Sequence, residues 1–228
     1  MNPYYEDGSV TIYHGDALEI LPDLEADVLV TDPPYGMKHT PRGTYDAKTG
    51  KTGKGQRGVA GDESVVVRDE VLAWWGEDRP AAVFGTWRLP RPSGVNHRLI
   101  WWKQGAPPGP ARTSFMLQDE EIYILGKGWV ESSPPLRSVI PTSEPRQGAF
   151  GEAARIGHPT PKPLALMRTL VERTPPGVIL DPFMGSGSTL RAAKDLGRKA
   201  IGIELEERYC QIAAQRCSQD VLDLGMAA

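Results

Sequence analysis

The stretch from Val178 to Cys217 constrains the fold most. It reads as an apolar run (Val178–Leu180), a glycine loop at Gly185-Ser186-Gly187, a helix over 188–196, a second strand over 199–203 and a second helix over 206–217. Strands that alternate with helices at this spacing are the signature of a parallel sheet with helices packed on its faces. The same rhythm runs through the earlier chain. Val10–Tyr13, Asp27–Thr31, Ala81–Phe84, Arg98–Lys103 and Glu121–Leu125 read as strands, with helical periodicity over 17–21, 63–75 and 163–174. The expectation is one α/β domain over 1–228 with a doubly wound, mostly parallel sheet. Residues 104–115 and 127–161 are rich in Pro, Gly and Ser and read as loops.

Two motifs stand where buried strands should end in loops. Asp181-Pro182-Phe183-Met184-Gly185-Ser186-Gly187-Ser188-Thr189 follows the strand at 178–180. Its glycines let backbone approach a ligand closely, and the next helix offers its amino end to a polar group. No Gly-Lys-Ser/Thr follows, so it is not a phosphate-binding P-loop. Ile201-Gly202-Ile203-Glu204 then places an acid at the end of the next strand, spaced to accept both hydroxyls of a ribose. Glu204 also suits a helix cap, but spacing and context together favour a nucleoside.

The second motif, Asp32-Pro33-Pro34-Tyr35, follows Val28-Leu29-Val30. Consecutive prolines fix φ and stiffen the loop, so its carbonyls point outward. A nucleobase amine is a poor nucleophile because its lone pair is conjugated into the ring. The Asp32 carboxylate and the Pro33 carbonyl, both accepting from one NH₂, would turn that lone pair toward an electrophile. Tyr35 offers an aromatic face for an extruded base.

These motifs, in this order, resemble those of the β-class DNA amino-methyltransferases, in which the DPPY segment precedes the cofactor segment in a circular permutation of the methyltransferase motif order. Between the two lies His158-Pro159-Thr160-Pro161-Lys162-Pro163, similar to the family's HPTQKP with Pro161 in place of Gln. Gly15-Asp16-Ala17-Leu18 resembles the segment that contacts the cofactor's adenine ring. The resemblance implies a S-adenosylmethionine-dependent fold and enzyme that methylates N6 of adenine in double-stranded DNA. Asp32, Pro33, Pro34 and Tyr35 would be catalytic. The cofactor would be held by Asp16, Ala17, His158, Thr160, Lys162, Asp181, Phe183, Gly185, Ser186, Gly187, Ser188, Thr189 and Glu204, with 158–163 closing its methionine end. Cytosine N4 remains the nearest alternative, since family members acting there more often carry serine in place of Asp32. A non-catalytic DNA-binding protein of the same fold is a second alternative, and an enzyme acting on RNA or a protein amide a third. Cys210 and Cys217 lie on one predicted helix, away from any loop suited to the covalent cysteine route of cytosine-C5 methylation.

A net charge of −3 does not advertise a nucleic-acid binder, but the distribution does. Residues 1–36 contain no Lys or Arg and eight acids, whereas Lys38, Arg42, Lys48, Lys51, Lys54 and Arg57 face only Asp46 over 37–58. These six, with Arg88, are expected to contact DNA phosphates. The 37–61 stretch reads as a mobile basic loop and 104–157 as a target-recognition insertion. The latter is short, which makes a homodimer sharing DNA contacts the expectation, with a cognate restriction enzyme as a further candidate partner. The amino terminus lacks the pattern of a signal peptide, and no apolar stretch approaches a membrane span, so a cytoplasmic setting is expected. No metal site is expected from two cysteines and four histidines.

Overall fold

The structure is a computed structural model that describes residues 2–34, 45–46, 51–52, 65–104, 117–132, 134–143 and 161–219. In chain order the strands are β1 (Tyr5–Glu6), β2 (Val10–His14), β3 (Val28–Thr31), β4 (Tyr45–Asp46), β5 (Lys51–Thr52), β6 (Ala81–Gly85), β7 (Val95–Gln104), β8 (Asp119–Leu125), β9 (Val139–Ser143), β10 (Ile179–Asp181) and β11 (Ala200–Glu204). The helices are α1 (Ala17–Ile20), α2 (Val66–Trp75), α3 (Leu164–Val171), α4 (Ser188–Asp195) and α5 (Glu207–Ser218).

Nine strands form one sheet in the order β1-β2-β11-β10-β3-β6-β8-β7-β9, and β4 pairs with β5 apart from it. The five strands β2, β11, β10, β3 and β6 run parallel. β8 then runs antiparallel to both β6 and β7, and β9 parallel to β7. The central strands are apolar through their middle, because both faces are covered, and turn polar only at their carboxyl ends; all four residues of β3 are buried. Successive side chains alternate between the faces. Val28 and Val30 join a core with Leu166, Met167 and Leu170 of α3, Leu190 of α4 and Ala213 of α5. Leu29 joins the opposite core with Ile20 of α1 and Val71 and Trp75 of α2. The doubly wound, mostly parallel sheet expected from the sequence is the architecture found. No helix among the described residues is long and apolar enough to cross a membrane.

This winding sets the position of the site. From β3 the chain proceeds to α2 on one face, and from neighbouring β10 it proceeds to α4 on the other. Connections that leave adjacent parallel strands on opposite faces open a crevice beyond their carboxyl ends, where α/β proteins bind ligands. Asp32 and the Asp181 loop flank that crevice.

Several elements differ from the sequence reading. β1 is a strand that reading lacks, and β4 and β5 pair antiparallel within the 37–61 stretch read as a loop. β9 lies within a stretch read as loop: Pro141 sits mid-strand and only Ile140 is buried, a pattern that hides an edge strand. β7 begins at Val95 rather than Arg98, and a register shift between Val95 and His97 disguises its alternation. α3 starts after Pro163, which occupies the N-cap position.

Gly202 in β11 tests how tightly the cofactor-side core is packed. A Cβ there would press on Met184 Sδ and lie 2.7 Å from Leu190 Cδ2. Gly202→Ala should therefore cost about 1–3 kcal/mol through overpacking, read as a lower urea midpoint with unchanged slope. An unaltered midpoint would show that the interface between β11 and α4 is loose.

Candidate active site

Asp181 ends β10 with its carboxylate buried among three donors. Oδ1 accepts from Thr31 Oγ1 at 2.8 Å and from the Phe183 backbone N–H at 3.2 Å. Oδ2 accepts from Thr189 Oγ1. Burial pushes this carboxyl up to about 6, the hydrogen bonds from Thr189, Thr31 and Phe183 oppose the rise, and the charge of Asp32 adds to it. Asp181 thus ties β3 to β10 and holds the start of the glycine loop from behind.

The loop itself needs glycine. Gly185 and Gly187 have φ of 51° and 76°, a region that side-chain-bearing residues rarely adopt. At Gly187 a Cβ would also lie 2.8 Å from the Ala213 Cβ of α5. Arg216 of α5 donates to the Ser186 carbonyl at 2.7 Å, to Ser186 Oγ at 3.1 Å and to Ser188 Oγ at 3.3 Å. Ser186, Ser188 and Thr189 are buried. They brace the loop, whose Gly185 N–H donates to Glu204 Oε2 at 3.0 Å.

Glu204 lies on the same side of the crevice, at the end of neighbouring β11, and its Oε1 accepts from the Glu206 N–H at 2.8 Å. Burial raises its carboxyl above the ordinary glutamate range, against the backbone donors of Glu206 and Gly185. The next strand end belongs to β2, where the Gly15 N–H donates to the Glu204 carbonyl at 3.0 Å. Asp16 there caps α1, accepting from the Leu18 N–H at 2.8 Å, and Ala17 is buried beneath it. Phe183 is half-buried against the α1–α2 side core. The carboxyl ends of β2, β11 and β10 thus bring Asp16, Glu204 and the 183–187 loop to one edge of the sheet. Hydroxyl acceptors beside a loop of backbone and glycine suit a nucleoside with a short polar chain.

Asp32 follows β3 on the other side of the crevice, with its side chain 26% exposed. Pro33 is buried and Pro34 half-buried, so the segment leaves the sheet with its backbone fixed. The Lys162 ammonium lies 2.5 Å from Asp32 Oδ2 and 3.1 Å from Glu120 Oε2. Lys103 pairs with the other oxygen of Glu120. Lys162 Nζ also stands 4.8 Å from the ring centre of Phe84 and 5.8 Å from that of Trp101. Burial opposes the charge on Lys162, but Asp32 and Glu120 override it and hold the ammonium above the ordinary lysine range. Burial likewise opposes ionisation of Glu120, and Lys162 and Lys103 override it to keep that carboxyl low.

Glu120 and Arg216 escaped the sequence reading. Glu120 sits in the run Asp119-Glu120-Glu121, which resembles a solvated strand end, and only the pairing of β8 between β6 and β7 turns it inward. Arg216 looks like an ordinary helix-end cation. Tyr35, Lys38, Arg42, Lys48, Lys54, Arg57, His158 and Thr160 lie outside the described residues, and Lys51 is described only as part of β5. Arg88 is exposed just beyond β6, its guanidinium 5.4 Å from the ring centre of Trp87, itself 63% exposed. Among the described residues no three His, Cys, Asp or Glu side chains cluster as metal ligands. A cavity of about 540 Å³ opens at the amino-terminal end of β7, between Asn96, Trp129 and Arg173. It lies at the opposite end of the sheet from Asp32 and takes no part in this arrangement.

Comparison with known proteins agrees with this geometry. The DNA methylase family model of N6 and N4 methyltransferases matches residues 26–215. The YubD protein of Escherichia coli (strain K12) is 29% identical over 212 residues, spanning 89% of this chain and 87% of its own. The type II methyltransferase M.ScaI of Streptomyces caespitosus is 27% identical over 278 residues, covering 97% of this chain and 86% of its own. Among solved structures, the M1.HpyAVI–SAM complex aligns with a TM-score of 0.66 and 27% identity, over 92% of this chain and 100% of that one. The cytosine-N4-specific PvuII DNA methyltransferase shares the fold with a TM-score of 0.63 at 16% identity, over 96% and 89% of the two chains. The strand-end crevice, the braced glycine loop and the family match across most of the chain lead to one conclusion: this chain belongs to the N6/N4 DNA methylase family.

Proposed function

We propose that this DNA methyltransferase modifies N6 of adenine by direct transfer, with no covalent enzyme intermediate. The observation that carries the proposal is the Asp32 carboxylate, on a proline-stiffened segment at the carboxyl end of β3, beside the β10 end that carries the glycine loop. S-adenosylmethionine is the cofactor, and it supplies a methyl group made electrophilic by its sulfonium. Glu204 would hold its ribose hydroxyls, Asp16 and Phe183 its adenine, and Gly185 and Gly187 would give its chain room. Asp32 and the Pro33 carbonyl accept the two amine hydrogens and so direct the nitrogen lone pair across the crevice. Tyr35 stacks on the flipped base. Most of the acceleration comes from positioning, which alone reaches several orders of magnitude in well-aligned pairs. The aspartate that opens the DPPY motif supports adenine over cytosine.

Phosphate contacts are assigned to Lys38, Arg42, Lys48, Lys51, Lys54, Arg57 and Arg88. Target recognition is assigned to 104–157, because the connection between β7 and β8 leaves and re-enters the sheet at the Asp32 edge. A homodimer on DNA, and pairing with a cognate restriction enzyme, complete the reading; the type II relative M.ScaI supports the latter.

Purified protein given methyl-labelled S-adenosylmethionine and unmethylated genomic DNA should yield labelled N6-methyladenine on nucleoside mass spectrometry. Label in N4-methylcytosine would overturn the base assignment, and label confined to RNA or protein would overturn the substrate. Asp32→Ala should abolish turnover while the cofactor dissociation constant stays unchanged; retained activity would remove Asp32 from its role.

Cofactor affinity should also depend on pH through Glu204. The ionised carboxylate is the better acceptor for ribose hydroxyls, and its raised pKa means that it begins to protonate above the usual range near ~4.3. Affinity should therefore be greatest with the carboxylate ionised and weaken as pH falls, from a higher pH than an ordinary glutamate would require. Glu204→Gln should bind about 10–100-fold more weakly at pH 7, the loss of a charge-assisted hydrogen bond, and lose that pH dependence. A wild-type affinity that stays flat until the ordinary glutamate range is reached would reject the ribose contact.

A further inference from the structure

We propose that Lys162 is a positioning residue for the methyl-accepting site: with Glu120 and Lys103 it forms a charge-balanced clamp that fixes the Asp32 carboxylate as a hydrogen-bond acceptor. The proposal rests on the assignment of Asp32 as the acceptor of the target amine, and adds the machinery that holds it there.

Three observations meet at this residue. Lys162 is only 8% exposed, and a buried ammonium is retained only where carboxylates compensate it. Two do so, from separate elements: Asp32 after β3 and Glu120 on β8. Lys103 on β7 supplies a second cation to Glu120, so the cluster has two positive and two negative groups. Its walls are aromatic. Phe84 and Trp101 meet edge to face with ring centres 6.4 Å apart, and Lys103 Nζ lies 4.5 Å from the Trp101 ring. Trp101 is in turn fixed by its indole N–H, which donates to Thr142 Oγ1 at 2.7 Å on β9.

The backbone delivers Lys162 stiffly as well. Pro161 and Pro163 flank it, and Pro163 ends the extended segment at the N-cap of α3, with φ −58° and ψ 134°. A rigid arm thus brings one compact cation onto one oxygen of Asp32. A carboxylate held this way, with one oxygen on the ammonium, is fixed in orientation and aims its other oxygen at the crevice. The charged groups facing it are Lys162, Glu120 and Lys103 in the clamp and Asp181 across the β3–β10 junction. In transfer the amine nitrogen would bond to the methyl carbon as the S–CH3 bond breaks and the sulfonium becomes a neutral thioether. The fixed carboxylate would face the positive charge developing on nitrogen and take the amine proton, directly or on its way to solvent.

The clamp makes two predictions of opposite sign, which a merely structural lysine would not. Lys162→Met removes the cation from between two carboxylates. It should lower kcat by about 100-fold, the scale of a small misplacement in a reacting pair, and move the acid limb of the kcat–pH profile to higher pH. The cofactor dissociation constant should stay within twofold of wild type. Glu120→Gln leaves Lys162 wholly to Asp32, so the acid limb should move to lower pH with a smaller fall in kcat. Lys162→Arg restores the charge with a bulkier group, so the limb should return toward the wild-type position while kcat recovers only in part. If Lys162→Met does not fold, Glu120→Gln and Lys162→Arg carry the test.

Acid limbs that stay fixed in Glu120→Gln and Lys162→Met would overturn the clamp. A large rise in cofactor dissociation constant with kcat preserved would assign Lys162 to the cofactor instead. The base assignment is separable, because the wild-type product is identified in the same assays and the limb shifts are read on whichever base carries label. Should wild type methylate no DNA base, a thermal-stability double-mutant cycle between Asp32→Asn and Lys162→Met still decides the clamp: non-additivity supports it and additivity overturns it.

Discussion

The Asp181 carboxylate is the joint on which the site depends. It gathers Thr31 from β3, Thr189 from α4 and the Phe183 N–H from its own loop at the point where the winding reverses. Both halves of the chemistry hang from it. Asp32 is the residue after Thr31, and the glycine loop begins four residues beyond Asp181. A buried carboxylate is costly, and its raised pKa records that cost. Three donors at one group offset it and fix the registry of the two strands that bound the crevice. Such a network is stiff because each member is satisfied by a different element.

A second set of charges supports the other wall. Glu204 is held by the backbone of its own turn and by Gly185, while Asp32 is held by a lysine that arrives from far along the chain. This division has a physical logic. On the proposed assignment, the cofactor's neutral hydroxyls would meet an acceptor aimed by the backbone, and the target amine a carboxylate fixed in place by a buried ammonium.

Much of this was legible in the sequence because it is local. The parallel core follows from strand patterns at 27–31, 81–84 and 178–180 alternating with helices, and these lie within a residue or so of their observed bounds. Asp32, the glycines and Glu204 were found because their chemistry is tied to strand ends, which periodicity locates. What escaped depends on pairing at long range. Glu120 is informative only once β8 is seated between β6 and β7, and β9 is a strand because β7 offers it an edge, not because Val-Ile-Pro-Thr-Ser favours one. Lys162 was visible as part of a motif. Its contact with Asp32, 130 positions earlier, could not be read from local pattern. The basic residues of 37–61 other than Lys51, with Tyr35, His158 and Thr160, stay outside the described residues and rest on charge and motif alone.

The proposed chemistry requires one spatial arrangement: the methyl donor and the Asp32 segment facing each other across the β3–β10 crevice. A crystal structure with S-adenosylhomocysteine and a short DNA duplex tests it most directly. The ribose hydroxyls should lie on Glu204, and the thioether sulfur should point at an amine held by Asp32 and the Pro33 carbonyl, while Lys162 remains on Asp32. A ligand whose sulfur faces away from Asp32, or one seated at Asn96 and Arg173, would contradict it.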